Sequence, residues 1–291
     1  MKRAGLWLRA ARPYAYSTSV IPVLIGALHV RGRGGPFSGL HLGVTLAAAL
    51  LIHTAANLWN DYFDFKLGVD RAGGGTGSGM LVRGEMTPAQ IFGGASLCAL
   101  ASLALGLWLA GRAGWGLAWL FPFGFLGALL YCAGRFSPKH VALGEVWLFL
   151  TMGVGLTLGG AMAQTGKFSW GAIAAGTPAG LLMTLLLYIN NIRDMRSDRE
   201  AGLATLPMRL GARPYRLPVA LTLAMAYGLT GWLAWTGHAP PTVWLAWVSL
   251  PQALWWARPV WRGNVGEAQV KGVAMLHLSF GVLFAVGLAL A

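Results

Sequence analysis

Nine apolar runs, at about residues 15–31, 41–60, 88–110, 115–134, 144–164, 169–190, 214–236, 242–257 and 271–290, admit charged side chains only at their ends. Across a bilayer such a run closes its own backbone hydrogen bonds as a helix of roughly 20 residues. A water-facing shell is excluded by composition. Charged residues make up 11% of the 291-residue chain, against about 25% in soluble domains. The pattern predicts an all-α, polytopic membrane helical bundle of about nine transmembrane helices, with residues 1–291 as one domain. The 42 glycines suit close helix contact in lipid, where small residues take over the packing role of the hydrophobic effect. Gly153, Gly155, Gly159 and Gly160 are read this way.

With nine spans, the N-terminus and the even-numbered connections share one side. That side holds 18 of the 22 basic residues, leaving Arg31, Arg33, Arg112 and Lys167 on the other. By the positive-inside rule the N-terminus is cytoplasmic and the chain is a multi-pass protein of the cell's inner membrane. The net charge of +13 then reflects topology and contact with anionic lipid, and nucleic acid is not an expected partner. Residues 1–12 start like a signal peptide, but Arg9 and Arg12 interrupt the apolar run, so they read as a retained interfacial lead-in. Cys98 and Cys132 lie inside spans with no ligand cluster around them, which argues against a disulfide or a cysteine metal site.

All nine acids fall on the cytoplasmic side, and acids contribute little to orientation. Two clusters stand out. At the end of the second span, Asn57, Asp61 and Asp64 share one helix face, with Asn60 between them and Asp70 beyond. At the end of the sixth, Asn190, Asp194 and Asp198 repeat the one-turn spacing. Carboxylates so placed repel unless a cation sits between them, and hard oxygen ligands suit Mg²⁺, which bridges carboxylates to substrate phosphates. Interleaved Lys66, Arg71, Arg83, Lys139, Arg193, Arg196 and Arg199 supply donors for phosphoryl oxygens. The combination describes a diphosphate site at the cytoplasmic end of a central cavity. A solvated headgroup-region cluster is the bland reading. Two matching helix ends on one face, with amides at a depth where polar groups are costly, weigh against it.

Such a site takes a substrate with a charged head and an apolar tail. Ionisation of an allylic diphosphate leaves a carbocation that apolar and aromatic walls can house, ready to alkylate an electron-rich ring. Trp59, Tyr62, Tyr131 and Tyr188 are wall candidates, although aromatics at these depths also serve as packing and interfacial residues. His53, two turns inside Asp61, reads either as a proton shuttle or as a capped polar residue. Arg12 reads either as a contact for an acceptor carboxylate or as an interfacial anchor.

These residues resemble the intramembrane aromatic prenyltransferases, and within them the 1,4-dihydroxy-2-naphthoate polyprenyltransferases of menaquinone biosynthesis. The resemblance runs through Asn57–Asp70 and Asn190–Asp198, then Gly202, Thr205-Leu206 and Leu210-Gly211. Arg12-Pro13, Pro22, Gly26, Tyr131, Gly134 and Leu143-Gly144-Glu145 add to it. It implies that Asn57, Asp61 and Asp64 on one arm, and Asp194 and Asp198 on the other, bind Mg²⁺ and an isoprenyl diphosphate. An aromatic acid would be the acceptor and CO₂ a product. Asp70 after Gly68 matches the naphthoate branch; the ubiquinone branch would place an acid at position 68. The chain departs from the naphthoate pattern at Leu203, where Lys is expected, and at Ala133-Gly134-Arg135, where Gly-Gly-Pro is expected. Arg193, Arg199 or Lys139 are the substitutes for the missing cation.

The segment Gly73–Gly79 lacks the Gly-Lys-Ser/Thr ending of a nucleotide loop, and reads as a cap over the cavity or as a solvated loop. The competing readings are the same fold with another aromatic or quinone-precursor acceptor, and a secondary transporter using Asp61 and Asp194 for a coupling cation. Isoprenoid length and oligomeric state are not encoded in any local pattern.

Overall fold

In the computed structural model, which describes residues 3–71, 77–134, 136–211 and 215–291, each apolar run is helical. The N-terminal lead-in forms α1 (Arg3–Ala11), followed by α2 (Ser17–Gly32), α3 (Gly39–Lys66) and α4 (Pro88–Ala113). A 3₁₀ turn, Trp115–Trp119, runs into α5 (Leu120–Cys132). Then α6 (Gly144–Leu148), a π-helical stretch Phe149–Gly155 and α7 (Leu156–Thr165) form one continuous rod. The chain continues through α8 (Trp170–Glu200), the short α9 (Leu206–Arg209), α10 (Leu217–Trp235), a 3₁₀ run Pro241–Ser249, α11 (Leu250–Trp261) and α12 (Glu267–Ala289). Among the described residues the only extended pairing is a single bridge, Val141 to Ala204.

Among the described residues seven helical segments are long and apolar enough to cross a membrane, not the nine expected. The first expected span forms the 16-residue α2, which at 1.5 Å per residue reaches about 24 Å. The eighth divides into the 3₁₀ run and α11, with prolines at Pro240, Pro241 and Pro251. Proline lacks the N–H that a continuous α-helix uses. Helix starts follow their caps. Ser38 accepts from the His41 amide, Ser169 accepts from Ala172, and Thr87 forms a reciprocal capping box with Gln90.

Apolar packing has two large centres. One lies among α2, α8, α10, α11 and α12, built around Ile21, Leu182, Phe280 and Phe284. The other lies among α1, α3, α4 and α5, built around Leu58, Trp59, Ile91 and Ala95. Glycines let α2 and α7 approach backbone to backbone. A methyl group on Gly26 would collide with the Thr157 carbonyl, and one on Gly160 with the Val23 carbonyl. The two acidic helix ends thus belong to different halves, α3 in one and α8 in the other, with α2 packed against both.

Candidate active site

Both acid-bearing helices end in the same motif. After α3, Gly68 takes φ +71°; the Val69 amide donates to the Asp64 carbonyl (2.9 Å) and the Gly68 amide to that of Phe65 (3.2 Å). After α8, Gly202 takes φ +75°; Leu203 donates to the Asp198 carbonyl (2.9 Å) and Gly202 to that of Arg199 (3.1 Å). These are Schellman terminations, in which a left-handed residue lets the chain reverse and satisfy the last carbonyls. Asp64 and Asp198 therefore occupy the same position, three residues before the cap. Four acids stand on the last turns of two helices, where the macrodipole is negative, so a cation between them is favoured by backbone and side chains together.

The first arm is buried: Asp61 is 2% exposed and Asp64 6%. Asp61 is paired with Arg12 and accepts from the Ser78 hydroxyl and amide. Arg12 reaches it because α1 ends there, tied to α3 by the Asn57 amide nitrogen, which donates to the Ala11 carbonyl (2.9 Å). A Cβ at residue 77 would press on both the Asp61 carboxylate and the Arg12 guanidinium, so glycine there lets the loop close over the pair without displacing it. Asp64 is held by Lys139, whose Nζ lies 2.6 and 2.7 Å from its oxygens and 2.6 Å from Asn60 Oδ1. The Asn60 amide also donates to Asp64 (3.0 Å), and His140 Nε2 lies 3.6 Å away.

The second arm is more open. Arg193 grips its neighbour Asp194 with two bonds of 2.7 and 2.6 Å and reaches Glu267 at 2.7 Å. Besides its burial, Asp198 feels the charges of Asp194 and Arg193 on its own helix and of Asp64 and Lys139 on the other arm. Residues 137–145 tie the arms together. Lys139 holds Asp64, the His140 carbonyl accepts from Ala204 beyond α8 (3.1 Å), and Glu145 accepts from Asn191 (2.9 Å).

Below this polar layer an apolar crevice of about 100 Å³ is lined by Val23, Ile52, Leu103, Phe125 and Leu156 among others. Ile52 is nine residues along α3 from Asp61, or about 13 Å. Tyr131 packs on the α3–α5 centre and Tyr188 in the α8 centre.

Residues 19–280 match the sequence profile of the UbiA prenyltransferase family. The chain belongs to that family. It is 28% identical over 286 residues to the 1,4-dihydroxy-2-naphthoate octaprenyltransferase of Bacillus subtilis strain 168, covering 97% of this chain and 91% of that one. It is 31% identical over 219 residues to UbiA prenyltransferase domain-containing protein 1 of Danio rerio, covering 72% and 62% of the two chains. In fold it resembles a UbiA homolog from Aeropyrum pernix K1 (TM-score 0.72, 20% identity, 93% of this chain and 97% of that one). It also resembles a UbiA homolog from Archaeoglobus fulgidus bound to GPP and Mg²⁺ (TM-score 0.68, 17% identity, 98% and 100%).

Not every basic residue singled out in the sequence of this UbiA-family chain meets the acids. Lys66 lies over the Tyr62 ring, 5.9 Å from its centroid. Arg71 pairs with Glu200 (3.2 Å), and Arg83 pairs with Glu85 (2.9 Å) and donates to the Ser78 carbonyl. Arg199 is exposed and forms no ion pair among the described residues. The His53 Nδ1 is 2.7 Å from Ser19 Oγ, under the edge of Tyr16. Asn190 is half-buried at the start of the second arm. Asp70 does not lead away from the site, because the turn at Gly68 brings its amide back to the Asp64 carbonyl (3.2 Å). Burial, then the Asp64 charge, push its carboxyl up to about 6. Cys98 and Cys132 are free. Arg135 and residues 72–76 of the glycine-rich segment lie outside the described residues.

Two further residues belong to the site. Ser78 was visible only as part of a glycine-rich loop. Glu145 is buried, with Asn191 on one oxygen and no partner on the other; its signal was an acid placed just inside an apolar run. Among the described residues no three His, Cys, Asp or Glu side chains converge as a metal cage. A divalent cation here would be held by one or two carboxylates, with the rest of its shell coming from water and ligand.

Proposed function

We propose that this chain transfers an isoprenyl group from an isoprenyl diphosphate to 1,4-dihydroxy-2-naphthoate, releasing diphosphate and CO₂ and giving demethylmenaquinol. The observation that carries the reading is the pair of acid-bearing helix ends, Asp61/Asp64 and Asp194/Asp198, tied together by residues 139–145 beside an apolar crevice. Family membership supports the reaction class, and the Bacillus relative supports the acceptor.

The donor set fits Mg²⁺. It consists of carboxylates with an amide at Asn57, and among the described residues no three acids close into a cage. That is the arrangement of a cation that keeps waters and takes phosphate oxygens. On one arm Asn57, Asp61 and Asp64 would hold such a cation, and on the other Asp194 and Asp198 would. Held there, Mg²⁺ would supply positive charge against the negative charge that develops on the departing diphosphate. Arg12, Lys139 and Arg193, already at the carboxylates, donate to phosphoryl oxygens. Apolar walls at Ile52, Phe125 and Leu156 take the isoprenyl tail, and the rings of Trp59, Tyr131 and Tyr188 stabilise positive charge at the allylic carbon. The ring carbon bearing the carboxylate forms the new C–C bond. The C–CO₂ bond then breaks, and its electron pair restores the aromatic ring.

The acid-bearing face is cytoplasmic on the 18:4 division of basic residues, with α2 and the Pro241–Trp261 unit as the remaining crossings. Membranes supplied with Mg²⁺, mixed isoprenyl diphosphates and candidate aromatic acids provide the test, read by mass spectrometry and CO₂ trapping. The expected result is prenylated 1,4-dihydroxy-2-naphthoate with one CO₂ per product and little or no turnover of 4-hydroxybenzoate. Efficient turnover of 4-hydroxybenzoate with its carboxylate retained would overturn the acceptor and leave the family standing.

A further inference from the structure

A second cleft on the acid-bearing face lies apart from the acidic site. It lies between the start of α10 and the end of α11, has a volume of about 580 Å³, and is lined by Arg216, Leu217, Ala220, Arg258, Trp261 and Arg262. Three arginines line it, and among the described residues no acid does. Among the described residues none of the three forms an ion pair; Arg216 Nε donates to the Trp261 carbonyl (3.0 Å), which fixes its position across the cleft. The Trp261 indole N–H is buried without a partner, and an unsatisfied buried donor costs free energy until an acceptor arrives. The apolar wall continues one turn deeper. Leu217 and Leu221 on α10 are 66% and 52% exposed, and Leu254, one turn before Arg258, is 46% exposed.

Orientation by positive charge needs only a count of basic residues on one side. It does not require three arginines and a tryptophan to line one apolar cleft. We propose that this cleft is a binding site for an anionic glycerophospholipid of the surrounding leaflet. Arg216, Arg258 and Arg262 hold the phosphodiester, the Trp261 N–H donates to one of its oxygens, and an acyl chain lies along Leu217, Leu221 and Leu254. Basic pockets between membrane helices select anionic headgroups in this way, and arginine's planar fork suits phosphate. A zwitterionic headgroup brings a cation of its own into the arginine cluster and is disfavoured.

The test is native mass spectrometry of the full chain in detergent with added cardiolipin, phosphatidylglycerol or phosphatidylcholine of matched acyl chains. The wild type should retain the two anionic lipids at least about 10-fold over phosphatidylcholine, since each basic group near the surface contributes about a fivefold factor. Arg216→Gln/Arg258→Gln/Arg262→Gln should lose that preference, and Arg3→Gln/Arg9→Gln/Arg209→Gln, with the same change in charge, should keep it within about twofold. If the glutamine triple does not fold, the triple Arg→Lys variant keeps the charge and removes the fork, and should retain anionic lipid more weakly than wild type. Equal loss in both glutamine triples, or no loss in the lysine triple when it alone folds, reduces the cleft to diffuse surface charge and overturns the proposal. Displacement of the lipid by millimolar inorganic phosphate would make it a free-phosphate site. Displacement by geranyl diphosphate would make it a substrate entry site. Either result refutes the lipid assignment.

Discussion

Asp61→Asn and Asp194→Asn probe the paired arms with the least change in shape, because each exchanges one carboxylate oxygen for an amide nitrogen. Under the proposed mechanism each loses a charged ligand at the moment when negative charge builds on the leaving diphosphate. A deficit of about 3–5 kcal/mol in that step corresponds to roughly 200- to 5000-fold in turnover. The structure separates this effect from stability. Asp61 is buried against Arg12, whose side chain is 16% exposed, and neutralising it strands a nearly buried guanidinium. About 3 kcal/mol of stability should be lost, the low end for breaking a buried pair, because the amide still accepts from Ser78. Asp194 is 31% exposed beside an equally open Arg193, so its loss should cost less than about 1 kcal/mol. Both variants should therefore be nearly inactive, with only Asp61→Asn melting several degrees lower. The assay is initial rate with saturating isoprenyl diphosphate and titrated Mg²⁺, beside a thermal melt in the same detergent. The double variant should lose far less than the summed deficits, since either single change disables the shared clamp. Rates near wild type in both single variants, with Mg²⁺ still required, would refute the assignment of these helix ends as the reacting centre. Cation-coupled uptake in sealed vesicles would then be the measurement to make.

Three further substitutions follow from particular contacts. Lys139→Gln removes the ammonium shared by Asn60 and Asp64 and should raise KM for the diphosphate about 10- to 100-fold, as expected for a charge-assisted contact; unchanged KM would take Lys139 out of the substrate site. Gly202→Ala places a Cβ in a left-handed position at φ +75°, which should cost about 1–2 kcal/mol and lower activity through Asp198; a melt identical to wild type would contradict the Schellman termination. Asp70→Asn should reduce turnover less than about 10-fold, because among the described residues the carboxyl's one bond is to the Gly77 amide (3.3 Å) and an amide oxygen accepts there as well. A loss as deep as that of Asp61→Asn would place Asp70 among the metal ligands.

Much of this architecture was legible in one dimension. Run length and the absence of charge dictate helices, because a backbone in lipid must satisfy itself within the segment. The one-turn spacing of Asn57 and Asp61, and of Asp194 and Asp198, is a property of the α-helix alone, so the shared face of each arm could be read directly. The same logic overcounted the long spans. Apolar content says nothing of where prolines divide a run, as at Pro241–Trp261, or of how short a packed helix such as α2 can be. Which cation meets which acid was decided only in three dimensions. Lys66 and Arg71 are close to the first cluster in sequence, yet its acids are held by Arg12, 49 residues from Asp61, and Lys139, 75 residues from Asp64. Glu145 meets Asn191 across 46 residues. Helical spacing arises from bonds between neighbours four residues apart, whereas these pairs depend on how separate helices dock. That docking is set by the fit of glycines such as Gly26 and Gly160 against facing backbones, a complementarity between distant segments that no local pattern records.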